Sequence, residues 1–194
     1  MHNKGLYPEI ITNYNVYKGL GGTDGSNTAD SNTADSKLLG VGNSLTLPTL
    51  TQMTETISGS GILGEYEAGN VGHFNATDIE IPFVAVSEGM FDFDTSQRIY
   101  LTIRATQQST LKAEGTKAFS GVKVQVGGDI KELKLGKFEN GKQGESSITL
   151  GLTYIKIEIS YEDGTSVTAL ELDKFNEVFV LNGVDQLASI KKFS

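Results

Sequence analysis

The chain has no cysteine and no tryptophan, and its 194 residues include only two histidines, His2 and His73. Without cysteine, a disulfide framework, a thiolate metal site and a cysteine nucleophile are all excluded. A metal site made of imidazoles would need His2, which lies at a terminus where chains usually fray. A Ser-His-Asp set would need His73 as its base, and no serine stands in a Gly-x-Ser-x-Gly turn. We therefore expect no metal, no cofactor and no enzymatic activity.

Basic residues are also scarce. The chain carries 16 Lys and Arg against 24 Asp and Glu, which gives a net charge of −8 and a pI near 4.8. Stable binding to nucleic acid needs clustered cations, so we expect DNA to be repelled. No apolar run reaches the length of a signal peptide or a membrane span, and we expect folding in a cytoplasm without membrane binding by the subunit.

The length fits one domain, and a chain of this size buries about two thirds of its unfolded surface. We predict a single domain over residues 1–194, interrupted by a flexible loop at about residues 19–37. That loop is rich in Gly, Ser, Asn, Thr and Asp and repeats SNTAD at residues 26–30 and 31–35. Such a composition buries too little apolar area to offset the entropy lost on ordering.

The clearest structural signal is alternation between residues 153 and 161. Ile155, Ile157 and Ile159 alternate with Lys156, Glu158 and Ser160, which predicts a strand with one apolar and one polar face. Asp163-Gly164 is a typical hairpin turn, and residues 167–172 return as a second strand. The pattern predicts an antiparallel hairpin.

Similar but less regular patterns occur along most of the chain. Residues 98–111 and 119–135 alternate, and a change of phase at Gly127-Gly128 predicts a bulge. One short helix is predicted within residues 87–97, with Ser87 as its cap and Met90, Phe91 and Phe93 facing inward. We predict further strands at residues 9–18, 39–57, 78–86, 178–181 and 187–190. The class is mainly β, an antiparallel barrel or sandwich with one short α-helix.

A literal Gly-x-Gly-x-x-Gly motif spans residues 59–64. It indicates dinucleotide binding only between a strand and a helix of a βαβ unit, and Gly69 and Gly72 would soon interrupt a helix here. A flexible glycine loop over residues 58–73 is the better interpretation.

Taken in order, six segments resemble the major tail tube proteins of contractile-tailed bacteriophages and of phage-tail-like (R-type) bacteriocins. The resemblance covers about residues 9–19 and 38–194 and is weakest at 75–135. The segments are residues 13–19 (NYNVYKG), 44–50 (SLTLPTL), the 59–64 loop, 141–145 (GKQGE), the strand at 148–159 and 180–185 (VLNGVD).

This resemblance implies a β-rich subunit that forms hexameric rings, stacked into the inner tube of a contractile tail. The tube would conduct DNA in a phage or ions in a bacteriocin. Its partners would be further copies of the chain, the tail sheath, baseplate and tail-terminator proteins, and DNA only in passage. It would belong to a virion tail or tail-like particle assembled in the bacterial host cytoplasm. The alternative function is a carbohydrate-binding or adhesin-like β-sandwich.

Two groups of residues are candidates for assembly. Polar faces of the long hairpins would line the tube, and the net charge predicts a negative bore. The glycine loop would join successive rings because flexible loops can become ordered on assembly. The tube-lining candidates are Thr102, Arg104, Thr106, Lys123, Gln125, Lys156 and Glu158, and the ring-stacking candidates are Gly59, Gly61, Gly64, Glu65, Tyr66 and Gly69.

Overall fold

The computed structural model of the chain describes residues 5–19 and 37–193. These residues are mainly in antiparallel strands, with one very short helix, as the sequence predicts. The strands are β1 (Leu6–Lys18), β2 (Gln52–Ser58), β3 (Glu65–Phe74), β4 (Asp78–Phe83), β5 (Ile99–Leu111), β6 (Lys117–Lys134), β7 (Ser146–Tyr161), β8 (Ser166–Asp173), β9 (Val178–Leu181) and β10 (Val184–Asp185), and the helix is α1 (Glu88–Phe91).

Most strands belong to one sheet, in the order β1-β5-β6-β7-β8-β9-β10, and β4 pairs with the first half of β7. Residues 37–42 connect β4 back to β1, since Lys37 bridges Tyr17 and Val41 bridges Phe83. The Tyr14 hydroxyl also donates a hydrogen bond to the Gly42 carbonyl oxygen. β1, β5, β6, β7, β4 and this connecting segment therefore form a closed barrel, while β8 to β10 extend the sheet beyond it.

The barrel encloses the core because its strands alternate inward apolar and outward polar residues. α1 contributes Met90, which is fully buried. The core consists of Val16, Leu38, Ile79, Ile81, Phe83, Met90, Ile99, Leu101, Ile103, Val124, Val126, Ile148, Leu150, Leu152, Ile155 and Leu172.

Two bulges bend β6 along β7, at Gly127/Gly128 and at Ile130/Glu132. The first confirms the bulge that the phase change predicts. Only glycine fits at Gly128, because an added Cβ would lie 2.1 Å from the Gly151 carbonyl oxygen. The bend lets the first half of β7 pair with β4 and the second half with β8.

Several predicted elements differ in extent. α1 covers only four residues; Ser87 holds the cap position with extended backbone, but its side chain makes no capping hydrogen bond, and Phe91 is exposed. Of the strand predicted at 39–57, only Gln52–Ser58 forms one, because residues 43–51 run irregularly across the core.

Two other predictions fail for local reasons. The strand predicted at 187–190 is wrong: Asp185 accepts a hydrogen bond from the Leu187 amide, and Ile190 and Lys191 donate back to Leu187, which makes turns. The loop predicted over 58–73 is a loop only at 59–64, and β3 follows it. The SNTAD repeats lie outside the described residues.

Candidate assembly surfaces

The strand register brings all seven predicted tube-lining residues onto one face of β5, β6 and β7. Residues directly opposite one another across antiparallel strands share a face, so the pairs define rows that cross the sheet. The rows are Tyr17, Thr102, Gln125, Lys156 and Glu171; then Asn15, Arg104, Lys123, Glu158 and Thr168; then Asn13, Thr106, Gly121, Ser160 and Ser166. We call this surface the polar face.

Ion pairs link the strands across the polar face. Glu158 lies between Lys123 and Lys156, with Nζ to Oε distances of 3.4 and 3.2 Å, and Lys156 also lies 3.7 Å from Glu171. The Arg104 guanidinium lies over the Tyr17 ring, 5.5 Å from its centroid. The three rows carry three cations and two carboxylates, so the net charge of −8 does not arise here. A negative bore would need its charge from other residues.

The polar face is not uniformly open. Thr102 and Gln125 are fully buried, and Thr102 donates a hydrogen bond of 2.7 Å to the Gly19 carbonyl oxygen. Thr106 is exposed, and the charged residues of the rows are half-buried. Of the seven predicted residues, Thr106 and the four charged ones are therefore accessible, and Thr102 and Gln125 are not.

Beyond the barrel, the sheet continues as an arm made of residues 6–13, 104–111, 117–123, 157–161 and 166–168. Glu9 fastens the arm: it accepts hydrogen bonds from Gln108, Thr110 and Lys117 at 2.5 to 2.8 Å. These bonds, above all the one from Lys117, lower the pKa of Glu9 to about 2. They tie together three strands where no barrel core supports them.

Each side of the arm ends in an open strand edge within the described residues. β1 pairs with β5 on one side, and its other side is free from Leu6 to Asn15. β8 pairs with β7, and beyond β8 the partner β9 reaches only Leu170 to Asp173. Ile10 and Ile11 on β1 are more than half exposed. Unpaired edges of this kind are templates for pairing with another chain.

β2 and β3 form a separate two-stranded sheet, which we call the hairpin. Its register places Glu55, Ile57, Tyr66 and Ala68 on one face, and the opposite face carries Thr54, Thr56, Ser58, Glu65 and Glu67. The loop between the strands carries Ile62 and Leu63, and Leu63 is completely exposed. The predicted ring-stacking residues all lie in this hairpin, Gly59, Gly61 and Gly64 in the loop and Glu65, Tyr66 and Gly69 on β3.

Both faces of the hairpin are open to solvent. In β2 every residue after Gln52 is exposed, and in β3 only Ala68, Gly72 and Phe74 are partly buried. In the described part of the chain Glu55, Glu65 and Glu67 have no ion-pair partner. An isolated two-stranded hairpin is marginal in water and needs a further layer for stability. The hairpin, with its glycine loop, was missed as a strand pair because glycines interrupt the alternation.

The remaining surface offers little for chemistry. Across residues 5–19 and 37–193, no group of three His, Asp or Glu side chains is arranged to hold a metal ion. No helix in those ranges is long and apolar enough to cross a membrane.

The comparison with known families decides the identity. The family model described as phage tail tube protein FII matches residues 32–193 of the chain. The chain belongs to this family. No curated protein matches it in sequence. The match covers the hairpin, β4 to β10 and most of the barrel, and begins after β1. As a phage tail tube protein, the chain is a structural component of the virion tail, from a family without enzymatic function that self-assembles into a tube with other tail components.

Proposed function

We propose that this tail tube protein forms hexameric rings that stack into the inner tube of a contractile tail, a conduit for DNA in a phage or for ions in a bacteriocin-like particle. One domain, residues 1–194, supplies both kinds of contact, within a ring and between rings. The observation that carries the proposal is the pair of open edges on the arm, at opposite ends of the same sheet.

Within a ring, the free edge of β1 in one copy pairs with the free edge of β8 in the next. Pairing of this kind repeats around a ring and leaves no edge unpaired, which is how closed barrels remove exposed edges. The contact is heterologous, since two different edges meet, and such contacts form rings when the rotation closes. Six copies would then share one continuous sheet.

The polar face of that sheet lines the bore. Its charges are already paired across strands, so a passing polyanion meets Lys123 and Lys156 only where carboxylates neutralise them. A cation held by a nearby carboxylate attracts phosphate less strongly than a free one, which suits passage rather than binding. The outer side of the tube would face the sheath protein, and the tube ends the baseplate and tail-terminator proteins.

The hairpin joins one ring to the next. The hairpin is separate from the sheet that forms the ring, and most of its residues are exposed in the subunit. Gly59, Gly61, Gly64, Glu65, Tyr66 and Gly69 lie in this joint. Deleting residues 59–64 and closing β2 to β3 with a two-residue turn should leave a folded subunit that no longer forms long tubes.

Introducing charged residues on the free edge of β1 tests the proposed pairing of β1 with β8 of the next copy. Ile10→Asp with Ile11→Asp places two carboxylates on an exposed edge outside the core, so we expect a folded subunit that no longer forms rings. Negative-stain microscopy of the unaltered chain should show rings or hollow filaments of uniform width. Leu39→Asp, at another exposed apolar position, serves as the control and should assemble normally. Normal tubes from the double variant would refute pairing through β1.

A further inference from the structure

The acidic charge of the chain is concentrated in one part of it. Residues 38–97 contain eight Asp and Glu and no Lys or Arg, whereas the rest of the chain has 16 acidic and 16 basic residues. The whole net charge of −8 therefore lies in this segment. The hairpin belongs to it and carries Glu55, Glu65 and Glu67, none of which has an ion-pair partner among the described residues.

The opposite pattern occurs at the end of β6. Ile99 of β5 pairs with Gly128, so the part of β6 beyond Gly128 has β7 on one side and an open edge on the other. Residues 131–142 contain four lysines and two glutamates, and residues 131–140 are all exposed. We call the surface of Lys131, Leu133, Lys134, Leu135, Lys137 and Phe138 the lysine strip.

The hairpin and the lysine strip match in both charge and apolar content. The strip exposes Leu133, Leu135 and Phe138, and the hairpin exposes Ile57, Ile62, Leu63 and Tyr66. Lys134 makes no ion pair among the described residues, while Lys131 pairs with Asp78 and Lys137 lies 3.3 Å from Glu145. An acidic element with an apolar tip thus has a basic, apolar counterpart in the same molecule.

From this match we propose that the hairpin of one copy docks on the lysine strip of a second copy. This inference rests on the proposed function and names the surface that receives the stacking hairpin. Glu65 and Glu67, which share one face of the hairpin, would face Lys131, Lys134 and Lys137, and Ile62 and Leu63 at its tip would cover Leu135 and Phe138. The contact supplies the layer that the hairpin lacks, and the charges fix its orientation and exclude hairpin-to-hairpin pairing.

Reversing the charges on the hairpin and on the lysine strip tests the proposed docking. Glu65→Lys and Glu67→Lys together should abolish tubes, and so should Lys131→Glu, Lys134→Glu and Lys137→Glu together, because like charges then face one another. Combining both sets in one chain should restore tubes. The control pair, Glu88→Lys and Glu114→Lys, makes the same change in net charge as the glutamate pair at other exposed positions and should assemble. Circular dichroism checks that each variant is folded.

Cross-linking reads the contact directly, because the chain has no cysteine of its own. Leu63→Cys and Phe138→Cys, carried on differently tagged copies and mixed, should form a disulfide-linked heterodimer under mild oxidation. Leu63→Cys mixed with Leu39→Cys should not. The measurement works on soluble chain as well as on tubes, so it gives an answer whether or not tubes form.

The outcomes separate the two proposals. If the unaltered chain forms tubes but charge reversal leaves them intact, or if cysteines at 63 and 138 link no better than those at 63 and 39, the docking is overturned and the tube function stands. If the unaltered chain forms neither rings nor tubes, the proposed function fails, and a 63–138 heterodimer would then support the contact on its own.

Discussion

The barrel and the hairpin are both antiparallel β-structure, yet they meet opposite conditions. Each barrel strand places apolar residues on a shared core, and Ile79, Ile81, Leu101 and Leu150 are almost completely buried. The hairpin places Ile57 and Tyr66 on one face and Glu65 and Glu67 on the other, and both faces are exposed. Burial of apolar area is the main driving force for folding, so the barrel can be stable within one chain. We propose that the stabilising partner of the hairpin is another copy of the chain.

Residues that serve the fold and residues that we propose to serve assembly therefore differ in their surroundings. Residues that serve the fold are inside the barrel and touch one another. Residues that serve assembly are exposed in the subunit, have open strand edges or lack charge partners. The same apolar side chain should therefore have very different effects in the two regions.

The largest expected effect on stability comes from replacing leucine by alanine in the barrel core, and the same replacement in the hairpin should have almost none. Leu101→Ala removes a buried side chain from the core and should lower the free energy of unfolding by about 2–5 kcal/mol. Leu63→Ala, at the exposed hairpin tip, should change it by less than about 0.5 kcal/mol and should instead impair tube formation. Urea unfolding of both variants measures this. Equal losses of stability would mean that the hairpin tip packs within its own subunit.

A smaller effect is expected where the barrel bends. Gly128→Ala places a Cβ against the Gly151 backbone, which cannot move aside cheaply, and should cost about 1–3 kcal/mol. Gly121→Ala, on the same strand in the arm, has no atom closer than 3.8 Å to the added Cβ and should be nearly neutral. Thermal unfolding compares the two. A neutral Gly128→Ala would show that the bulge does not fix the bend of β6.

The smallest effect on stability is expected in the arm, which continues the sheet of the barrel but lies outside the barrel itself. The pKa of Glu9 is held at about 2, below its ordinary value of 4.5. Its contribution is therefore complete above pH 4.5 and is lost as the pH falls towards 2. Because Glu9 is exposed, Glu9→Gln should lower the melting temperature at neutral pH by less than about 3 °C, and this difference should become much smaller at pH 2, where Glu9 is partly protonated in the folded state. A difference that persisted unchanged at pH 2 would contradict the assigned pKa.

Much of the barrel could be predicted from the sequence, since β5 to β8 alternate over long runs and their turns are marked by Gly and Asp. The polar face could be predicted too, because alternation alone assigns Arg104, Lys123 and Glu158 to one side of their strands. The burial of Thr102 and Gln125 could not, because alternation does not show which positions of a polar face are covered; Thr102, for example, bonds to Gly19, 83 residues away in sequence.

The hairpin shows why other parts were missed. In β3 glutamate alternates with tyrosine and alanine only over residues 65–68, and Gly69 and Gly72 interrupt the pattern, so the sequence shows too short an alternation to predict a strand. Its strand character comes from pairing with β2, which is a tertiary property. The turns at 187–190 replace a predicted strand for a local reason, since the Asp185 side chain accepts a hydrogen bond from the Leu187 amide.

The central claim is that the barrel is complete in one subunit and the hairpin is completed by another copy. Hydrogen exchange, measured on the monomer and on assembled tubes, tests this most directly. We expect slow exchange for β4 to β7 amides in both states, and fast exchange for β2 and β3 amides in the monomer that becomes slow in the tube. Hairpin amides as protected in the monomer as those of the barrel, or unchanged on assembly, would contradict it.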